Sequence, residues 1–403
     1  MLTLTSCQQG PGSCQRPACP PAEVPKALLG GTPVPDPFVI RAPEVQGGRD
    51  VLWMLGTSNE TKETFPLYIS RDNGVTWAPA LDKKRKPLSI FPNLPNWVST
   101  KAPDRWAPEV HRVDGKFVVF YSARHKDGDL RVAAGVADSM AGPWRDLGPV
   151  LKEKHGVIDA TMTFDPKTRQ NILVYKPDNN CVGEPTPILS RPFRLTDKTI
   201  EFTGPPHEIM RNQDGDEGVL EGPTLVSENG TNYIFVSSGV FSLDGYSTSC
   251  AELKDPAHGT AEGRRLLLHS GSPVLRGKWE SPGHVSMVKV HPDRDDGLYH
   301  MYVHAWDAEK PRDGETVWKE RFKPGIEGRM PLRLTVAFRE PDGTRCAPYI
   351  VEERYPQGAT FHSHTPADRW DSERKIIPRA PDLSGERVAP GSRYSGPAQE
   401  IYA

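Results

Sequence analysis

The sequence predicts an all-β protein built as a five-bladed propeller, and three observations carry that expectation. Strand-like runs recur along the whole chain, with no convincing amphipathic helix between them. Glycine and proline, 36 and 41 of the 403 residues, punctuate those runs as turns between short strands require. One unit is repeated five times: a short strand, a polar turn, a more apolar strand, then one or two further strands.

The first copy reads "DPFVIRAPEVQGGRDVLWMLGTS" from Asp36, and the second "WAPEVHRVDGKFVVFYSA" from Trp106, followed by the further strand "LRVAAGVA". The third, "IDATMTFDPKTRQNILVYK", starts at Ile158, and the fourth, "EGPTLVSENGTNYIFVSSG", at Glu221. The fifth, "GHVSMVKVHPDRDDGLYHMYVHAW", starts at Gly283 and is followed by "LRLTVAF". Asp36, Trp106, Asp159, Glu221 and His284 head these copies at separations of 70, 53, 62 and 63 residues. Four-stranded blades run to roughly 40–50 residues before long loops are added. Equivalent positions of a propeller gather around one axis, so the five are expected to meet. The predicted organisation is a Pro/Gly/Cys leader over 1–30, the propeller over 31–355, and a polar C-terminal extension over 356–403.

Charge narrows the partners. With 50 basic and 52 acidic residues the formal charge is −2, which gives no electrostatic case for nucleic acid or an anionic membrane and suits a neutral substrate. No run approaches 18 apolar residues. The N-terminus lacks the features of an intact signal peptide, but "LTSC", Leu4 to Cys7, resembles the lipobox of bacterial lipoproteins and precedes a linker-like stretch. A secreted or lipid-tethered monomer is expected. The six cysteines form no CxxC pair, so zinc-site spacing is absent, and a disulfide from Cys14 to Cys19 or from Cys181 to Cys250 stays open.

Three carboxylates at the mouth of a propeller axis suit glycoside hydrolysis with inversion. That reaction needs a base to activate water and an acid to protonate the leaving oxygen, with the two carboxyls about 6.5–9.5 Å apart. A third carboxylate holds the acid's pKa up, so Glu221 is expected to stay protonated near neutral pH. Taken singly, Asp36 before Pro37 reads as a turn former, Asp159 as a strand cap and Glu221 as a surface ion pair. Their shared place in the repeat favours the site.

The segments "VPDPFVI", "WAPEV", "GVIDATMTFD", "VLEGPTLV" and "SPGHVSMV", in this order, resemble the signatures of glycoside hydrolase family 43, and "VADSMAGPW" fits the same pattern. The likeness runs over about residues 31–340. It implies a five-bladed enzyme that trims arabinose and xylose from plant polysaccharides or oligosaccharides, with Asp36 as general base, Glu221 as general acid and Asp159 tuning and orienting the acid. It further implies Trp106 in the sugar site, with Phe38 and Trp53 on the same wall, and Arg329, in "GIEGRMPLRL", reaching sugar hydroxyls. Lys176 and Asn180, in "YKPDNNCVGEPTPI", would face the cleft. His284 would stand beside a central structural calcium ion, approached through water because calcium prefers oxygen ligands. No organic cofactor is expected.

Two further motifs are read as structural. "SRDNGVTW", Ser70 to Trp77, matches the Asp-box hairpin of sialidases and other propellers, a turn with Trp77 packed beneath it. In "HMYVH", His300 and His304 lie on one face of a strand but about 13 Å apart, too far to share a metal ion. The rival reading is a propeller that binds carbohydrate without cleaving it, since folds outlive their chemistry. A sialidase is disfavoured because repeated Asp boxes and an arginine cluster are not evident.

Overall fold

Each repeat folds into a four-stranded antiparallel sheet in the computed structural model, which describes residues 23–45, 48–58, 63–102, 104–180, 182–309, 328–356, 358–361 and the backbone of 374–376. Blade one consists of Phe38–Pro43, Asp50–Leu55, Tyr68–Ser70 and Ala78–Pro79. Blade two consists of Arg105–Val113, Lys116–Arg124, Leu130–Ala137 and Arg145–Leu151. Blade three runs Val157–Asp165, Gln170–Pro177, Pro187–Leu195 and Ile200–Phe202, with His207–Arg211 also paired to its third strand. Blade four comprises Leu220–Glu228, Thr231–Ser238, Ser247–Leu253 and Ala261–Leu268; blade five comprises Trp279–Lys289, Leu298–Asp307, Met330–Arg339 and Arg345–Ile350. The first strand of every blade touches the first strand of its neighbours, blade five returning to blade one. The molecule is a five-bladed β-propeller. Among the described residues no helix is long and apolar enough to cross a membrane.

The apolar core lies between blades. A cluster containing Phe38, Trp53, Phe65, Val110 and Tyr121 fills the seam of blades one and two; Phe120, Val132, Leu173 and Phe193 fill the next. Ile172, Ile188, Leu220 and Ile234 join blades three and four, and Phe235, Leu275, Met301 and Leu334 join four and five. Each such side chain, fully buried, contributes about 1.5–3 kcal/mol. Phe38 and Trp53 were expected to wall a sugar site. They are instead 9% and 1% exposed, in the core of the first seam. Strand alternation past the turn at Asp36 aims both at the neighbouring blade, not at the axis.

The closing seam is built differently. Blade one is drawn entirely from the N-terminal side and blade five entirely from the C-terminal side, so no strand is exchanged between them. Its buried apolar set is small: Val34, Val39, Leu52, Met54, Val288 and Tyr302. The Asp-box turn reinforces it. Inside the turn, Gly74 N–H donates to Ser70 Oγ (2.8 Å), Thr76 N–H to Asp72 Oδ1 (2.9 Å) and Trp77 Nε1 to the Gly74 carbonyl (3.2 Å). Across the seam, Asn73 Nδ2 donates to the Val290 carbonyl (3.1 Å), Arg333 Nη1 donates to the Asn73 carbonyl (3.2 Å), and Trp77 meets Tyr302 edge-on at 5.9 Å.

The expected leader ends earlier than residue 30. Val24 and Ala27 pack on blade five, Leu28 N–H donates to the Pro331 carbonyl (2.9 Å), and Trp279 Nε1 donates to the Pro25 carbonyl (2.7 Å). These apolar residues cover the flank of the last blade. Beyond residue 356, Ala359–Phe361 pairs with Arg374–Ile376, and Phe361 is buried against Leu298 and Val351. The LTSC segment, Cys14, Cys19 and Cys181 lie outside the described residues; Cys250 is a free thiol buried in blade four.

Candidate active site

The first strands share one irregularity that builds the site. The pairing register jumps between Trp106 and Glu109, Ile158 and Thr161, Glu221 and Thr224, and Gly283 and Ser286. At each jump stands a residue in the left-handed region: Ala107 (φ 44°), Asp159 (55°), Gly222 (56°) and His284 (52°), with Asp36 (52°) at the same place in blade one. These five are the true equivalents. Trp106 and Glu221, aligned with Asp36 from the sequence, come one residue earlier, at the register of Ile158 and Gly283. A bulge re-aims successive side chains, so the two registers point different ways from one strand tip.

A positive φ costs a non-glycine residue on the order of 1–2 kcal/mol, and the ring supplies a bond to offset it. Ala107 N–H donates to Thr57 Oγ1 (3.0 Å), Asp159 N–H to Ser122 Oγ (3.1 Å), His284 N–H to Ser237 Oγ (2.8 Å) and Asp36 N–H to His304 Nδ1 (3.1 Å). Every acceptor belongs to the second strand of the preceding blade or the residues just past it. Blade three offers Lys176 there, whose ammonium has no lone pair to give. In blade four, Gly222 N–H therefore turns to Asp159 Oδ2 (2.9 Å). A Cβ at Gly222 would come within 3.1 Å of His284 Nδ1, which explains the glycine.

Asp36 is buried and surrounded by donors. Arg329 grips it through Nη1 to Oδ1 (2.9 Å) and Nη2 to Oδ2 (3.4 Å), Thr57 Oγ1 donates to Oδ2, and His284 Nδ1 lies 3.6 Å from Oδ1. Burial alone would raise its pKa, but Arg329, then His284, outweigh burial and hold the carboxyl well below the usual range. Burial, then Arg329, push His304 down to about 3. Its imidazole is neutral, with Nδ1 accepting the Asp36 amide. Asp159 behaves oppositely. Burial, with Glu221 and Asp36 adding like charge, outweighs His284 and Lys176 and raises it to about 6.

Glu221 is half-buried and held at both oxygens: Tyr246 Oη donates to Oε1 (3.0 Å) and Asn180 Nδ2 to Oε2 (3.1 Å). Asn180 is fixed in turn by Lys176 Nζ, 2.9 Å from its Oδ1. Lys176 is 0% exposed, so it props Asn180 instead of facing a sugar as expected. Trp106 is partly exposed at the Glu221 register, opposite Ser122. Arg329, expected on sugar hydroxyls, lies on Asp36, with its guanidinium 4.6 Å over the Phe241 ring.

Sequence reasoning missed His304 and Tyr246. His304 pairs with Gly283 across blade five, so strand registration would have placed it beside the ring. His300, four residues earlier, faces Asn73 at 3.4 Å, whereas His304 meets the Asp36 amide. Tyr246 ends an irregular loop with no signal in the sequence. Among the described residues, no group of three or more His, Cys, Asp and Glu side chains is placed to hold a metal ion. Of the two carboxylates near His284, Asp36 is held by Arg329 and Asp159 by the Gly222 amide. This donor set does not form a calcium cage.

Comparison with known proteins agrees with the fold. The model of glycosyl hydrolases family 43 matches residues 31–320. An extracellular endo-α-(1→5)-L-arabinanase of Bacillus subtilis (strain 168) is 28% identical over 242 residues, 55% of this chain and 68% of that protein. Among solved structures, a thermostable family-43 glycoside hydrolase matches with TM-score 0.63 and 20% identity, over 84% of this chain and 99% of its own. A xylan β-1,4-xylosidase from Bacillus halodurans C-125 matches with TM-score 0.58 and 18% identity, over 81% of this chain and 57% of its own.

Proposed function

The chain belongs to glycosyl hydrolase family 43, and from that premise we propose that it cleaves α-L-arabinofuranosyl or β-D-xylosyl linkages of plant cell-wall polysaccharides with inversion, outside the cell. The relative that is an extracellular arabinanase supports the arabinan side and the location. One observation carries the chemistry: the ring gathers a carboxylate kept ionised, Asp36, with a half-buried carboxyl, Glu221, and a third with a raised pKa, Asp159.

In this reading Asp36 takes the proton from a water attacking the anomeric carbon. Arg329 keeps it anionic and fixes its plane. Glu221 delivers a proton to the departing oxygen, and donation from Tyr246 and Asn180 stabilises the carboxylate left behind. Asp159 steadies the acid from below, because its Oδ2 anchors the amide of the next residue, Gly222. Trp106 offers a ring to the C–H face of the sugar. Calcium enters only as an ion carried by water beside His284, with no step routed through it; dialysis against a chelator should then lower the melting temperature, and added calcium should restore it.

The test is product analysis by chromatography on linear arabinan, arabinoxylan and xylo-oligosaccharides, with proton NMR reading the anomer first released. Asp36→Asn and Glu221→Gln should each abolish release from unactivated polymers. Near-wild-type turnover in both would sink the assignment, and a retained anomer would sink inversion.

A further inference from the structure

The loop over residues 239–246, between the second and third strands of blade four, touches both halves of the machinery. Phe241 lies under Arg329, which grips Asp36, and Tyr246 donates to Glu221. The Tyr246 ring also stacks on His304 at 5.8 Å with only 4° between planes, and His304 receives the Asp36 amide. From this geometry we propose that Tyr246 is a positioning residue for the reaction, its hydroxyl setting the proton-donating carboxyl of Glu221 while its ring steadies the imidazole under Asp36. The proposal rests on the reading of Glu221 as acid and Asp36 as base.

The ring has little freedom to do otherwise. Tyr246 is 1% exposed, and its N–H donates to the Leu243 carbonyl (3.2 Å). A Cβ at Gly283 would fall 2.1 Å from its Cε1, so the glycine is the space the ring occupies. Burial, then the charges of Glu221 and Asp36, push the phenol well above its ordinary pKa, so it stays a donor. A hydrogen bond to a carboxylate is roughly twice as strong as one to a neutral acceptor. The Tyr246 hydroxyl therefore helps most where Glu221 has just given up its proton. That demand grows as the leaving group becomes a poorer one and vanishes when the leaving group departs without a proton.

The experiment compares wild type, Tyr246→Phe, Gly283→Ala and Glu221→Gln on a series of aryl arabinofuranosides or xylosides, from dinitrophenyl to unsubstituted phenyl, and on the natural oligosaccharide. Tyr246→Phe keeps the ring stack and removes one donor. Its kcat should fall roughly 10- to 100-fold on the poorest leaving groups but by less than about threefold on dinitrophenyl glycosides, with KM nearly unchanged. Gly283→Ala, which keeps the hydroxyl but displaces the ring, should show the graded pattern on top of a loss common to every leaving group, because the imidazole under Asp36 loses its stack. A loss without grading in Tyr246→Phe, against a graded loss in Glu221→Gln, would show a merely structural tyrosine and overturn the proposal. A uniform loss in Glu221→Gln as well would overturn the acid assignment itself, and the proposal with it.

Discussion

Asp159→Asn should change how stability depends on pH more than it changes stability at any one pH. In the folded protein the Asp159 carboxyl is raised from 3.8 to about 6, chiefly by burial and then by Glu221 and Asp36 against His284 and Lys176. The sign follows from linkage: a group whose folded pKa lies above its unfolded pKa favours the fold while protonated and loses that contribution as pH rises through the folded value. Below about pH 4 the group is neutral in both states and the fold carries no penalty. Above about pH 6 it is charged in both, and the fold bears the difference. Two pK units correspond to roughly 3 kcal/mol. The asparagine stays neutral throughout, so any fixed cost of its amide is the same at each pH. Urea unfolding of both proteins at pH 4, 5, 6 and 7 should show the variant gaining on wild type by up to roughly 3 kcal/mol across that window, with most of the gain between pH 4 and 6. A difference that stays constant from pH 4 to 7 would refute the raised carboxyl and the like-charge cluster that explains it.

Two further perturbations probe the ends of the ring. Arg329→Leu leaves Asp36 buried without its cation; stability should fall by about 3–5 kcal/mol, and because Arg329 lowers the Asp36 pKa, the acid limb of kcat/KM should move to higher pH, whereas an unmoved limb would separate Arg329 from the base. Gly74→Ala puts a Cβ 2.3 Å from Tyr302 Oη at a φ of 84°; thermal melts should show a loss of about 1–3 kcal/mol with kcat of the folded fraction retained, and a neutral melt would mean that the Asp-box turn does not hold the closing seam.

The fold was legible because period-two apolar runs and turn residues repeat with the blade, and Asp36, Asp159 and His284 stand at truly equivalent positions. The register of the other two blades was not. There the equivalent residues are Ala107 and Gly222, which carry no chemical signal, and the eye moves one place back to Trp106 and Glu221. Only the bulge, a matter of backbone conformation, separates the two registers. Phe38 and Trp53 look like a sugar platform in the sequence because an aromatic near a catalytic residue and an aromatic in an interblade seam are written with the same letters. The face each one takes depends on strand alternation counted from the bulge. Tyr246 and His304 come from a loop and a second strand of different blades, and their contacts arise only when blades four and five are packed together.

The bond from the Asp36 amide to His304 Nδ1 joins a residue near the start of the chain to one in its final blade. During synthesis, a chain that has grown through blade four already holds Glu221, its partners and Asp159. It lacks His304 and Arg329, two of the groups that hold Asp36. With Asp36 as the proposed base, such a fragment should stay inactive until the last blade has been made and packs against the first. On the proposed mechanism, hydrolysis of a sugar linkage would report that the circle has shut, and a chain stalled before Arg329 should score zero in an assay that a chain carrying all five blades passes.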